Sequence, residues 1–158
     1  MAYDAFLKLD GIDGEVNDQT HAAWIELQSF SWGASNSGSQ ASGGGGGAGK
    51  VSFQDLHCEG PTSKASPNIM LACATGKHIA SAMLSLKQDT PGATNALEFM
   101  KIKLTDVLIS GYQNGGAEQG EDRPLDGFSL NFVKIDFLYT VASTGETVEA
   151  AFDTGALR

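Results

Sequence analysis

Gly44 through Lys50 reads G-x-x-x-x-G-K, the opening of a phosphate-binding loop. Such a loop needs a Ser or Thr next, to hold a metal ion, and then a helix whose N-terminus faces the phosphates. This chain has Val51, and Val51-Ser52-Phe53-Gln54-Asp55-Leu56 reads as a strand. A run of five glycines makes such a partial match by itself, so a flexible interaction loop is the better reading. The metal-ligand types are His21, His57, Cys58, Cys73 and His78, and no pair has the C-x2-C or H-x3-H spacing of a zinc site. Adjacent His57 and Cys58 would point to opposite faces of a strand. Two cysteines among small and apolar neighbours read as reduced core residues. No metal or cofactor is expected.

Acyl-transfer chemistry on a nucleophile elbow needs G-x-S-x-G, which is absent from the sequence. Glu121 and Asp122 form a carboxylate pair that a small hydrolase would use for acid-base work. They stand in a Gly-rich polar stretch beside Arg123, which favours a salt-bridged or solvated loop. Trp24, Phe30 and Trp32 cluster along one stretch of chain, as a carbohydrate-binding face would present them. A core or a subunit interface places aromatics in the same way. No catalytic constellation stands out, and an enzyme is not expected.

The elements that must carry these residues are strands. Tyr3, Ala5, Leu7 and Leu9 alternate on one face with Phe6 as the exception, and Asp10-Gly11 and Asp13-Gly14 end the run. Ile25 and Leu27 give way to Phe30 and Trp32. Likewise Phe128, Leu130 and Phe132 give way to Val133, Ile135, Phe137, Tyr139 and Val141. A strand whose apolar parity switches needs a bulge or bend, unless both its faces are covered. Ala80–Lys87 and Leu97–Ile109 are further strands, and 114–123 reads as a polar loop after the second. One segment differs: Ser66 through Gly76 opens with an N-cap type and Pro67, carries Ile69, Met70, Ala72 and Cys73 at helical spacing, and closes on glycine. The expected fold is all-β, a barrel of two packed sheets with one short flanking helix.

The length of 158 residues fits one domain, here 1–158, with an extended Gly-rich loop at 35–50. Apolar residues at 41% supply a core, and a net charge of −9 repels phosphate backbones. Nucleic acid is therefore excluded as a partner. No apolar run is long enough to span a bilayer, and the Met1-Ala2-Tyr3-Asp4 start lacks a secretory pattern. A cytoplasmic site of synthesis, with no membrane insertion, is expected. A small ligand-binding or carbohydrate-binding β-barrel is one function that these features allow.

A second function comes from resemblance. The run Ala5–Glu15, then His21, then Phe30-Ser31-Trp32-Gly33 resembles the Hcp family, the haemolysin-coregulated proteins of bacterial type VI secretion. Gly43–Val51, Ser66–Cys73 with Gly76-Lys77-His78, Gly120–Arg123 and Leu130-Asn131-Phe132 extend the match in collinear order over Met1–Tyr139. Ala151-Phe152-Asp153 is a variant of the small-aromatic-acidic ending common in the family. The resemblance implies a tight β-barrel similar to phage tail-tube proteins, assembled as homohexameric rings. Those rings would stack as the inner tube of a contractile machine, with a VgrG-type spike, sheath and baseplate as partners and secreted effectors in the lumen. Export without a signal peptide follows from the same resemblance. Some members add a toxin domain after the barrel, and none is expected in a chain ending at Arg158.

Subunit or ring contacts are then expected at Asn36, Gly38, Gln40, Gly43, Gly44, Gly45, Gly46 and Gly47, on the arm that the family extends to a neighbour. Glu121, Asp122 and Arg123 would serve a second contact or lock their own loop. Ser31 alternates with Phe30 and Trp32, so it faces away from them and is the candidate lumen residue for cargo.

Overall fold

The computed structural model describes residues 3–37, 50–88, 97–118 and 122–157. In chain order the strands are β1 (Tyr3–Leu9), β2 (Ile25–Leu27), β3 (Ser29–Ser31), β4 (Ala34–Asn36), β5 (Val51–Phe53) and β6 (Leu56–Pro61). Helix α1 (Ser66–Thr75) precedes β7 (His78–Gln88), β8 (Leu97–Gly115), β9 (Leu125–Thr140) and β10 (Thr147–Asp153), and a 3-10 turn, Thr154–Leu157, follows. The main sheet runs β2-β1-β7-β8-β9-β6-β3 with antiparallel neighbours throughout, while β4 and β5 form a separate hairpin.

The two ends of that sheet are one stretch of chain. Ile25–Leu27 pairs with β1, Ser29–Ser31 pairs with β6, and between them the Gln28 N–H donates to Glu59 O at 2.7 Å. The sheet thereby closes on itself, which removes edges that an open sheet would expose. The apolar parity change from Ile25 and Leu27 to Phe30 and Trp32 is this switch of partners. Gly60 lies at the seam, where an added Cβ would stand 2.3 Å from Glu26 O.

The second parity change is shared by three strands. Buried Ile79, Val107 and Phe132 are cross-strand partners, and so are buried Ala82, Leu104 and Ile135. Within each strand the two buried residues are three apart, an odd step that regular pleating would send to opposite faces. Between them Asp106 has φ +57. The Phe53 ring touches both sides of this crease, lying 5.9 Å from Phe132 and 5.5 Å from Phe152, which is paired directly with Ile135. Both sets therefore face the same core, and the strands bend together without losing register.

Strand β8 runs to Gly115, beyond the expected stop at Ile109, after a register shift between Ile109 and Gly111. Its last residues are polar, so hydrophobic alternation does not reveal them. Pairing with β9 holds them extended, as in Gln113 opposite Gly127 and Asn114 opposite Asp126.

Helix α1 forms where expected, with Pro67 in its first turn and Gly76 at φ +68 after its last residue. Ser66 does not cap it. Its Oγ accepts from Ser63 N at 2.9 Å and donates to the Asp126 carboxylate. Ile69 and Ala72 are buried, whereas Met70 is 48% exposed on the opposite side, and Leu71 beside it is 55% exposed.

Candidate functional site

Ser31 lies on an outward polar plate set by strand register. It stands opposite His57 on β6, His57 opposite Ser129 on β9, and Ser129 opposite Gly111 on β8. The neighbouring row is Ser29, Glu59, Gly127 and Gln113. Directly opposed residues share a face, so all eight side-chain positions project outward, with buried Cys58, Phe128 and Leu130 on the reverse. Small residues keep the plate flat, and a Cβ at Gly127 would meet nothing within 4 Å. Asp55 ties a third row together, accepting from Ser110 Oγ at 2.6 Å and Asn131 Nδ2 at 2.9 Å. The two complete rows carry no lysine, arginine or large apolar residue. Such a surface hydrogen-bonds with a hydrated partner and offers no apolar grip. The sequence pointed to Ser31 alone; its companions come from strands far apart in the chain.

The loop residues fare differently. Asn36 ends β4, opposite Val51 of β5. Gly38, Gln40, Gly43, Gly44, Gly45, Gly46, Gly47 and Glu121 lie outside the described residues. Asp122 is exposed. Arg123 Nη1 donates to Glu15 Oε1 at 2.6 Å and to Thr62 O at 3.2 Å, and its Nη2 lies 3.9 Å from Glu26. Lys50 leads directly into the strand β5, so no helix follows the G-x-x-x-x-G-K match.

His21 sits at the centre of a lock that covers the outer face of β1 and β7. Its ring is 2% exposed, stacked on Phe6 at 4.9 Å and set edge-on to Trp24 at 4.6 Å. This cover explains Phe6, whose parity points outward yet which is buried. Nδ1 reaches Asp18 Oδ2 at 3.0 Å, and Nε2 reaches Glu98 Oε2 at 2.7 Å and Ser85 Oγ at 3.0 Å. Asp18 also accepts from Lys87 Nζ at 2.7 Å. Lys87, then His21, holds the Asp18 carboxyl far below the usual carboxylate range.

Ser85, His21 and Asp18 therefore line up as a hydrolase triad would, but the chemistry is blocked. Ser85 is fully buried and its hydroxyl donates to Glu98 at 2.5 Å. The Glu98 carboxylate also lies 2.7 Å from His21 Nε2, so it stands where a triad would need the serine hydroxyl alone, and no face of Ser85 is open to a substrate. The arrangement fastens the irregular stretch 13–24 onto the barrel.

A second buried hub is Asp126, 4% exposed. It accepts from Thr62 Oγ1 at 3.1 Å, Tyr112 OH at 2.9 Å, Asn114 Nδ2 at 2.8 Å and Ser66 Oγ. Burial, then the hydrogen bond to Asp126 and the charge of that carboxylate, raises the Tyr112 pKa. Four neutral donors hold the carboxylate and join the start of α1 to β8 and β9.

Cys58 is buried and burial pushes its thiol pKa up, so it has none of the thiolate character of a nucleophile. Among the described residues, no three of His, Cys, Asp and Glu are grouped to hold a metal ion. Trp32 packs edge-on against Phe137 at 5.6 Å, and Trp24 against His21, so both rings are partly committed inside the protomer.

These side chains belong to a creased antiparallel barrel with one flanking helix, whose buried polar clusters tie its segments together. The family described as "Type VI secretion system effector, Hcp" matches residues 6–139, and the chain belongs to that family. It is 43% identical over 139 residues to "Protein hcp1" of Pseudomonas aeruginosa, covering 88% of this chain and 84% of that protein. Hcp1 from Salmonella typhimurium superposes with a TM-score of 0.81 at 34% identity, over 99% of this chain and 97% of that one. A type VI secretion system effector from Yersinia pestis gives a TM-score of 0.77 at 29% identity, over 95% and 99%. The chain is thus an Hcp-type protein of type VI secretion.

Proposed function

We propose that this chain is the repeating subunit of a type VI inner tube. Homohexameric rings stack into a tube that sheath contraction expels, with a VgrG-type spike and baseplate at its tip. The observation that carries this reading is β10. Its seven residues are all exposed, and among the described strands it pairs only with β9. Its inner-side residues Val148, Ala150 and Phe152 stand opposite Tyr139, Phe137 and Ile135 and extend the apolar face of the sheet past the barrel. A monomer leaves most of such a strand in water, whereas a subunit closing a ring would cover it.

The polar plate around Ser31 is the surface assigned to the lumen, where effectors would ride. The Asn36 hairpin with the Gly-rich arm at 35–50, and the stretch Glu121 to Arg123, are assigned to contacts between subunits or rings. The chain acts as one domain and catalyses nothing itself. It is made in the bacterial cytoplasm and leaves through the machine.

The test is the solution mass by light scattering, with negative-stain images of the same sample. A mass near six times 16.5 kDa with open rings is expected. A clean monomer across a concentration series would overturn intrinsic ring formation and return the small ligand-binding barrel as the working reading.

A further inference from the structure

All six exposed large hydrophobic residues among the described residues fall into two places. Met70 and Leu71 lie on α1. Tyr3, Tyr139, Val148 and Phe152 lie on the inner side of the sheet, toward β10 and the Leu97 end of β8. Phe99 links Tyr3 to Tyr139 there, with ring centroids 6.0 and 6.4 Å apart, and Val148 faces Tyr139 across the β9–β10 pair.

The α1 patch is unusual for a surface helix. Ile69 and Ala72 face the core, yet exposed Pro67, Met70, Leu71 and Ala74 recur at i, i+3, i+4 and i+7 on the outside. Residues 65–76 carry no charge at all. A helix that is apolar on both sides belongs between two packed layers, and this protomer supplies one. On β10 the charged residues Glu149 and Asp153 share a face with Thr147 and Ala151, which leaves Val148, Ala150 and Phe152 as an uncharged opposite side.

We infer that the outer stripe of α1 on one copy docks against the exposed Tyr139 and Val148 end of the β9–β10 face of the next copy, beyond the part that Phe53 and Trp32 cover within the protomer. The inference rests on the self-assembly proposed above and specifies its contact surfaces. Two observations select a second copy of this chain as the occupant. The two patches are different surfaces of one chain, which is what a head-to-tail contact requires, whereas a two-fold contact needs one patch repeated. Both are uncharged, so they are where molecules of net charge −9 meet at least electrostatic cost.

Two matched variants test it, Leu71→Glu and Val148→Glu, which add the same charge at residues 55% and 61% exposed. Circular dichroism and thermal melts establish that each is folded. Leu71→Ala and Val148→Thr serve as milder versions, expected to raise the protein concentration needed for rings at least tenfold. Each Glu variant alone should be a monomer by light scattering. Mixed one to one, they should form a heterodimer of twice 16.5 kDa and stop there, because one intact stripe then meets one intact face. Wild-type rings should also tighten as sodium chloride screens the mutual repulsion.

Rings that persist in both variants would overturn the inference while leaving the tube reading intact. Homodimers of either variant alone would show two-fold pairing and overturn it equally. Rings that fall apart as salt rises would show that ion pairs hold them, against an apolar contact. A wild-type protein that stays monomeric throughout would remove the tube reading, and the inference with it.

Discussion

Gly60 and Glu26 meet so closely at the barrel seam that a methyl group on Gly60 would lie 2.3 Å from the Glu26 carbonyl oxygen. That oxygen belongs to backbone and has no rotamer in which to retreat. Gly60→Ala should therefore force β2 away from β6 and cost about 3 kcal/mol, at the upper end of the usual overpacking range. Urea unfolding monitored by tryptophan fluorescence checks this, and an unchanged midpoint would show that the seam yields freely.

The Asp18 carboxyl is held low by Lys87 and His21, so its contribution to stability has a definite sign with pH. A carboxyl whose folded pKa is depressed stabilises fully above its unfolded value of about 3.9, and progressively less as pH falls toward the folded value. Asp18→Asn should be less stable than wild type by about 1–2 kcal/mol at pH 7. The gap should shrink steadily below about pH 4. Thermal melts of both proteins between pH 7 and 2.5 measure it, and a gap that widens on acidification would contradict the lock.

Asp126 accepts four donors while nearly excluded from water. Asp126→Ala would strand those donors, which include the Ser66 hydroxyl on α1 and the Tyr112 hydroxyl on β8. A loss of about 3 kcal/mol is expected, the cost of unsatisfied buried groups around a lost charge. Amide exchange should accelerate first in α1 and near Thr62. Exchange that rises evenly over the whole chain would argue against a local tie.

Gly127 offers open space on the polar plate, and a Cβ there touches nothing. Gly127→Gln and Ser31→Asn should keep the melting temperature within a few degrees of wild type. Surface substitutions of this kind usually shift stability by about 0.5 kcal/mol or less. Co-purification of an exported effector with the rings should fall at least tenfold. Undiminished retention on either variant would remove the plate as the cargo surface.

The family, the strand-rich fold and the position of α1 were legible from the sequence, because they depend on local rules. Alternation marks strands, Pro67 and Gly76 bracket the helix, and parity breaks announce bends. Ser31 could be set apart from Phe30 and Trp32 for the same reason. Other features required the folded chain. That three strands crease at one level follows only from their registers, and the full length of β8 only from pairing by residues that carry no apolar signal. Phe6 broke its own pattern because the partner that covers it, His21, arrives from a separate segment. Met70 and Leu71 look like core residues in any helical projection. What places them outside is the sheet that has already filled the other side of α1, and a sequence pattern cannot say which of two apolar faces a neighbour will cover.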